Sequence, residues 1–408
     1  MQKLLSGDNT VKSGEKVFVS ALSGGADSMS LTLLINEWMH TNSGKLFTVT
    51  VDHSLRPESA EEAKTVGKWM KDYGISHHIL KWDHGSILCG HKQVRARQAR
   101  YDLLFDFCNK VEADYLLVAH TLDDQIETFF IRQEFHSGDY GLAGINAVVK
   151  PPQTRTVMIR PLLNVYKNEL KSYLTSIRQK WIEDPSNLDK KCKRVRIRME
   201  VAAKADKKLI WRRILALNES RQNLELAAEN FISLHTSVKK FGYAVLPSNE
   251  FCKLDPCVQK HVMRRLLWSL GGKQYPASLD QLASIVAQLK NLVSRKKVNV
   301  SGCLVAQRKD YVHIMRELRG ISDMKVVGNK FWDRRFLISA NSPLNVTHAG
   351  LEKASELREF FGGGSMFVEG FGSLPVIKQG SETRRFSNPD TAIFRSMVNL
   401  TDEFVYLN

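Results

Sequence analysis

The sequence predicts an α/β protein: a doubly wound parallel sheet, then a helical domain, then a small mixed or β-rich C-terminal domain. Three observations carry this. Short apolar runs alternate with amphipathic stretches from Val17 to Phe135. A glycine-rich turn joins the first run to the first amphipathic stretch. The pattern breaks at Pro151-Pro152 and changes again from about Met324. Strands alternating with helices imply crossover connections and parallel pairing. A chain of 408 residues is too long for one compact domain. The expected division is 1–212, 213–322 and 323–408.

Val17–Ala21 is long enough for a buried strand and runs straight into Leu22-Ser23-Gly24-Gly25-Ala26-Asp27-Ser28. A helical stripe follows through Leu31, Leu34, Ile35 and Trp38. Leu46–Val51 reads as a second strand ending at Asp52-His53. Glu58–Tyr73 reads as a helix with Val66, Trp69 and Met70 on one side, and His78–Trp82 as a third strand. His91–Asn109 carries Ala96, Ala99, Leu103 and Phe107 on one helical stripe. Tyr115–Ala119 is a strand ending at His120, and Leu122–Phe135 is a helix. Beyond Pro151-Pro152 a short strand leads into Arg160-Pro161-Leu162-Leu163 and a helix through Leu170, Tyr173 and Leu174. Trp211 to Gln288 reads as mainly helical, interrupted near Pro247 and Pro276. The stretch from Met324 is rich in Gly, Pro, Ser and β-branched residues.

Composition narrows the function classes. The hydrophobic fraction of 43% and charged fraction of 25% suit a soluble protein with a sizeable core. A net charge of +16 favours polyanionic partners, because bound phosphates release counterions. None of the six Cys forms a C-x-x-C pair, which argues against zinc ribbons and iron–sulfur clusters. Scattered thiols read as reduced and cytoplasmic. Met1 to Glu15 carries no apolar signal run, and no stretch approaches the roughly 18 apolar residues of a membrane span.

The turn Ser23-Gly24-Gly25-Ala26-Asp27-Ser28 lies between a strand and a helix. Paired glycines let backbone approach a ligand closely, and successive N–H groups at a helix start form an anion cradle. Ser23 and Ser28 add hydroxyl donors. The pattern is neither G-x-x-x-x-G-K-S/T nor G-x-G-x-x-G, so the common β,γ-phosphate loop and the dinucleotide fold are disfavoured. An Asp inside a phosphate cradle repels phosphate unless a cation intervenes, which makes Asp27 a candidate magnesium ligand. The bland alternative is a glycine turn with Asp and Ser at a helix start.

This segment resembles the loop of the ATP-pyrophosphatase superfamily, whose members split ATP between the α and β phosphates. Further segments are similar to the tRNA(Ile)-lysidine synthetase family: Val51-Asp52-His53-Ser54-Leu55-Arg56-Pro57-Glu58-Ser59, Ala96-Arg97-Gln98-Ala99-Arg100-Tyr101, Ala119 to Thr128, Arg160 to Leu163 and Trp181 to Asn187. The match runs from about Val17 to Arg198. The resemblance implies an adenine nucleotide hydrolase-like sheet, ATP as substrate and Mg2+ as cofactor. It implies nucleotide contacts from the glycine loop, Asp52, His53, Arg97 and Arg100. Two guanidiniums on one helix face need an anion between them, although solvated pairs are commoner.

In Ala119-His120-Thr121-Leu122-Asp123-Asp124-Gln125-Ile126-Glu127-Thr128, Asp123 and Glu127 share a helix face and repel each other. A substrate ammonium or magnesium would relieve this. Thr121 with Asp124 also fits a capping box, which leaves Glu127 unexplained. The resemblance implies catalytic roles for Asp27, Asp123, Asp124 and Glu127, with their division left open. His120, Arg194, Arg196 and Arg198 are then substrate contacts, the arginines within a basic run that starts at Lys190.

The implied reaction joins L-lysine to C2 of the wobble cytidine of the CAU-anticodon isoleucine tRNA through an adenylated cytidine. It yields lysidine, AMP and pyrophosphate and changes codon specificity from AUG to AUA. The outer domains are expected to grip tRNA, and the resemblance leaves room for a homodimer.

Three departures stand out. Phe135-His136-Ser137-Gly138 replaces the family's R-G-S-G, Val195 replaces the Asn of R-N-R-x-R, and Arg334 replaces the Gly of W-D-G-R-F in Phe331 to Phe336. Competing readings are tRNA thiolation, which generally needs sulfur-carrying or cluster-binding cysteines, a catalytically silent RNA-binding protein on the same fold, and a metabolic synthetase active without RNA.

Overall fold

The computed structural model describes residues 15–52, 58–82, 92–151, 154–183, 193–202, 205–239, 241–291, 297–364, 366–379, 382–384 and 392–394. They form two compact units that divide in sequence between Arg221 and Gln222.

In the first unit, β1 (Lys16–Ala21) lies between β2 (Gly44–Asp52) and β4 (Tyr115–Leu117), parallel to both. β3 (Ser76–Lys81) extends the sheet beyond β2. β6 (Val157–Ile159) pairs parallel with β4, and β5 (Val148–Val149) closes that edge antiparallel, giving the order β3-β2-β1-β4-β6-β5. The side-chain period of two explains why β1 is apolar on both faces. Phe18 packs with Leu31, Ile35 and Tyr115 on one face, while Val19 and Ala21 pack with Leu104, Phe107 and Leu116 on the other.

The helices sit where the 3.6-residue stripes put them: α1 (Ala26–Met39), α2 (Ser59–Asp72), α3 (Lys92–Lys110), α4 (Leu122–Glu134), the short α5 (Asp139–Leu142) and α6 (Lys167–Ser176). Beyond them α7 (Lys193–Ile197) continues as a π-turn over Arg198–Ala202, and α8 spans Lys207–His235. Residue 212, the expected first boundary, falls inside this continuous helix. The chain leaves β1 toward β2 on one side and later enters β4 on the other. The ends of β1 and β4 therefore flank the switch point, where open α/β sheets bind ligands.

The stretch from Trp211 to Gln288, which runs into the second unit, is mainly helical, as expected, with two short strands added, β7 (Ser237–Lys239) and β8 (Tyr243–Pro247). These join β9 (Lys297–Val300), β10 (Cys303–Arg308) and β11 (Tyr311–Arg316) in an antiparallel sheet, order β7-β8-β11-β10-β9. Strands this short leave too few residues for a period of two to register between long helical stripes. The short α9 (Ser248–Lys253), α10 (Pro256–Leu270) and α11 (Leu279–Asn291) belong to the same region, and Val262, Leu266, Leu282 and Ile285 share a core with Val305 and Ile314.

From Met324 the expected β-rich part is present: β12 (Met324–Trp332), β13 (Phe336–His348), β14 (Pro375–Gln379), β15 (Glu382–Arg384) and β16 (Ala392–Phe394), with α12 (Gly350–Phe360) and α13 (Glu369–Gly372). Phe331 to Phe336 is the β12–β13 hairpin. Asp333 and Arg334 both take positive φ, 46° and 56°, so Arg334 holds a conformation that glycine adopts more freely. Among the described residues no helix is long and apolar enough to cross a membrane.

Phe18 is fully buried and stacks on Tyr115 with ring centroids 5.1 Å apart. Phe18→Ala should cost about 3–5 kcal/mol, read as a lowered denaturant midpoint of the first unit.

Candidate active site

The end of β1 builds an anion cradle from backbone. Gly24 has φ +84°, and an added Cβ would lie 2.7 Å from Val66 and 2.9 Å from Ile182. Its carbonyl accepts the Ile182 N–H at 2.9 Å, so two segments close around this residue. Gly25 differs. Its backbone is ordinary (φ −72°, ψ 161°), and a Cβ there would meet nothing closer than Ser23 Oγ at 3.7 Å. The fold has room at Gly25, and what glycine preserves there is close access to the backbone. The first helical bond of α1 runs from Met29 to Gly25. The N–H groups of Ala26, Asp27 and Ser28 precede it, as orphan first-turn donors do. Ser28 Oγ donates to the Gly25 carbonyl at 3.0 Å and accepts the Ser23 N–H at 3.1 Å, fixing the curl of the loop.

Opposite lies the start of α4. Thr121 caps it in a full capping box: its hydroxyl accepts the Asp124 N–H, and its own N–H donates to Asp124 Oδ2 at 2.8 Å. Capping therefore accounts for one Asp124 oxygen. The other, Oδ1, receives Lys167 Nζ at 3.2 Å and Arg194 at 3.0 Å. Burial would push Asp124 up, but Lys167, Arg194 and the Thr121 hydroxyl hold it well below the usual carboxylate range. Asp123 accepts the backbone N–H of Lys167 at 2.8 Å and Lys207 Nζ at 2.7 Å. Glu127, with 1% of its side chain exposed, accepts Arg194 at 2.8 Å and Arg198 at 2.6 Å.

The repulsion between Asp123 and Glu127 read from the sequence is thus relieved by the chain's own cations. Arg194 and Arg198 turn inward onto carboxylates, while Arg196 is exposed. Val195, where the family has Asn, is buried.

Asp27 faces this cluster with less compensation. Lys167 Nζ lies 3.7 Å from its Oδ2. Burial, reinforced by Asp124 and Asp123 and only partly offset by Lys167, pushes its carboxyl up to about 6. A divalent cation would remove that cost. The described residues contain no group of three or more His, Cys, Asp or Glu able to hold a metal. A magnesium ion at Asp27 would therefore draw its remaining oxygens from phosphate and water, as this ion usually does.

Beneath the carboxylates is a cationic floor. Burial first, then Arg160, holds His120 well below its ordinary value, so it is neutral. Its Nδ1, and Nε of both Arg97 and Arg160, are buried without a partner among the described residues. Arg100 sits half-buried near Arg97 and adds to its repulsion. Burial would raise Tyr101, but Arg97 and Arg160 pull it down. The two Arg Nε–H groups, buried in a positive field and unpartnered among the described residues, suit a site that takes an anion.

Other expectations fared differently. Asp52 is buried at the end of β2 and accepts the Ser59 hydroxyl at 2.6 Å, which anchors the start of α2. His53, Asp184 to Asn187, Lys190 and Lys191 lie outside the described residues. Lys167 and Lys207 were not picked out from the sequence, because a single Lys at a helix start carries no spacing signal. Position after Arg160-Pro161-Leu162-Leu163 was the one available hint for Lys167.

A PP-loop domain family model matches residues 2–205. The tRNA(Ile)-lysidine synthase of Wolbachia pipientis wMel is 32% identical over 374 residues, covering 89% of this chain and 86% of its own. That of Rickettsia bellii (strain OSU 85-389) is 32% identical over 349 residues, covering 83% and 80%. The solved U34-tRNA thiolase NcsA from Methanococcus maripaludis is 21% identical with a TM-score of 0.44, covering 55% of this chain and 76% of that one.

Two outcomes follow. Gly24→Ala should lower stability by about 1–3 kcal/mol through forced positive φ and contact, whereas Gly25→Ala should melt like the parent yet bind ATP at least about tenfold more weakly. Thermal melts beside nucleotide titration separate them. Asp27 has a folded value above its unfolded one, so its stabilising share is complete below about 3.8 and disappears as pH rises through about 6. Asp27→Asn should therefore be more stable than the parent at pH 7.5, by on the order of 1–2 kcal/mol after screening. The two should converge near pH 4.

Proposed function

Because the chain belongs to the tRNA(Ile)-lysidine synthase family, we propose that it joins L-lysine to C2 of the wobble cytidine of the CAU-anticodon isoleucine tRNA. It is an ATP-dependent ligase of tRNA modification. The adenylated cytidine intermediate, the magnesium requirement and a cytoplasmic setting belong to the proposal. One observation supports it above the rest: Lys167 Nζ reaches both Asp27 of the glycine loop and Asp124 of α4. Phosphate cradle and carboxylate cluster therefore face one volume.

The roles follow from the contacts. The N–H groups of Gly25 to Ser28, with Ser23, receive the departing pyrophosphate half of ATP. Lys167, between the cradle and the carboxylates, would face the negative charge that grows as the α–β bond breaks, and a fixed cation there lowers that barrier. Magnesium held at Asp27 would neutralise phosphate charge. The lysine ε-ammonium must be held and must then lose a proton before its nitrogen can attack C2. Asp123 and Asp124 retain some exposure and hold that ammonium in place while its proton leaves to solvent. Glu127 is saturated by Arg194 and Arg198 and sets those two guanidiniums in place. The Nε–H groups of Arg97 and Arg160, unpartnered among the described residues, suit an anionic group of a bound substrate.

The deciding experiment incubates the protein with ATP, radiolabelled lysine and total tRNA, digests the RNA and identifies the labelled nucleoside. Lysidine, with AMP and pyrophosphate in equal amounts, is expected. ADP formation, or label absent from RNA, would sink the proposal. Asp124→Asn should reduce lysidine formation at least about a hundredfold, whereas Cys108→Ser should retain it, since this buried thiol is pushed up to about 12 and is inert.

A further inference from the structure

The far end of α4 carries an aromatic side chain that belongs to no core. Phe135 is 68% exposed, more than any other described Phe, Tyr or Trp. Lys193 Nζ lies 3.9 Å from its ring centroid and is itself held by Glu134 at 2.7 Å. A single exposed ring is common on protein surfaces, so its meaning rests on the charges around it. Its surroundings are basic. Lys193 opens α7, whose Arg194, with Arg198 of the following π-turn, holds Asp124 and Glu127, and Arg196 is exposed on the same helix. From Glu127 to Phe135 helix α4 advances about 12 Å. The ring therefore lies close to the carboxylates along one packed helix pair.

An exposed ring at the edge of a basic segment is how single-stranded nucleic acid is held: a base stacks on the π-face and Lys or Arg meets the flanking phosphates. We propose that Phe135 is the stacking platform for an unpaired nucleobase of the RNA substrate, near the nucleotide that is modified. Lys193 covers one ring face and the base takes the other, with Arg196 meeting the adjacent phosphate. The proposal rests on the reading of this chain as a tRNA-modifying enzyme. Phe135 stands where the family's R-G-S-G pattern has arginine. A guanidinium plane also stacks on bases, so the exchange keeps a flat surface while removing a charge. His136 follows with φ 50°, a left-handed turn that swings the chain away and leaves the ring free.

Phe135→Ala and Phe135→Trp test this by tRNA affinity in fluorescence anisotropy, KM and kcat for each substrate, and melting temperature. Phe135→Ala should weaken tRNA binding and raise KM for tRNA roughly five- to a hundredfold. KM for lysine, KM for ATP and the melting temperature should stay at parental values, and Phe135→Trp should restore the affinity. Parental affinity in Phe135→Ala, failure of Trp to do better than Ala, or a melting temperature that falls with the affinity would overturn the platform. The affinity measurement does not depend on which nucleoside is formed. If the parent binds tRNA in a Phe135-dependent way yet makes no lysidine, the functional reading fails and the platform stands.

Discussion

A carboxylate as deeply buried as Glu127 is tolerable only with cations against it, because an unpaired charge in the interior costs several kcal/mol. That requirement ties α7 to α4. Arg194 of α7 and Arg198 of the π-turn after it reach Glu127, Arg194 also meets Asp124, and Lys167 brings the start of α6 to the same place. Asp123 holds the first N–H of α6 and the ammonium of Lys207. Elements widely separated in sequence are thus fastened around one row of carboxylates. Pairs of this kind contribute little net stability compared with apolar replacements. What they provide here is position.

Against that neutralised row, Asp27 is the exception. It has one lysine at 3.7 Å, with like charges beyond. The floor of Arg97 and Arg160, with neutral His120 beside them, is the converse, with buried nitrogens that lack partners among the described residues. The site therefore combines an acid short of cations with bases short of anions. A magnesium-bound nucleotide and a substrate anion are the complement of that imbalance, and the cradle at Gly25 supplies the backbone donors between them.

The departures from the family pattern divide by backbone geometry. His136 and Arg334 occupy left-handed positions where the family has glycine, and each carries the strain of a Cβ in that region. Val195 replaces a polar residue at a buried position and needs no hydrogen-bond partner there. None of the three alters a residue of the glycine loop. Their effect is local to the rim of the site and to one hairpin.

The parallel sheet, its order of helices and the glycine loop were legible in the residues, because side-chain periods of two and near four are local properties. So was the capping box at Thr121 and Asp124, whose partners lie three positions apart. The small strands β7 and β8 were not, since Tyr243–Pro247 is too short for a period to register. Nor was the fate of the charges. Glu127 looked like a carboxylate awaiting a ligand, and Arg194 and Arg198 looked like arginines offered to RNA. Only the fold brought them within 2.6 to 2.8 Å across about seventy residues of chain. Lys167 and Lys207 carried no spacing signal at all. Motifs state which chemical groups are present, but whether a charge is spent inside the protein or left for a substrate depends on distances that chain order does not encode.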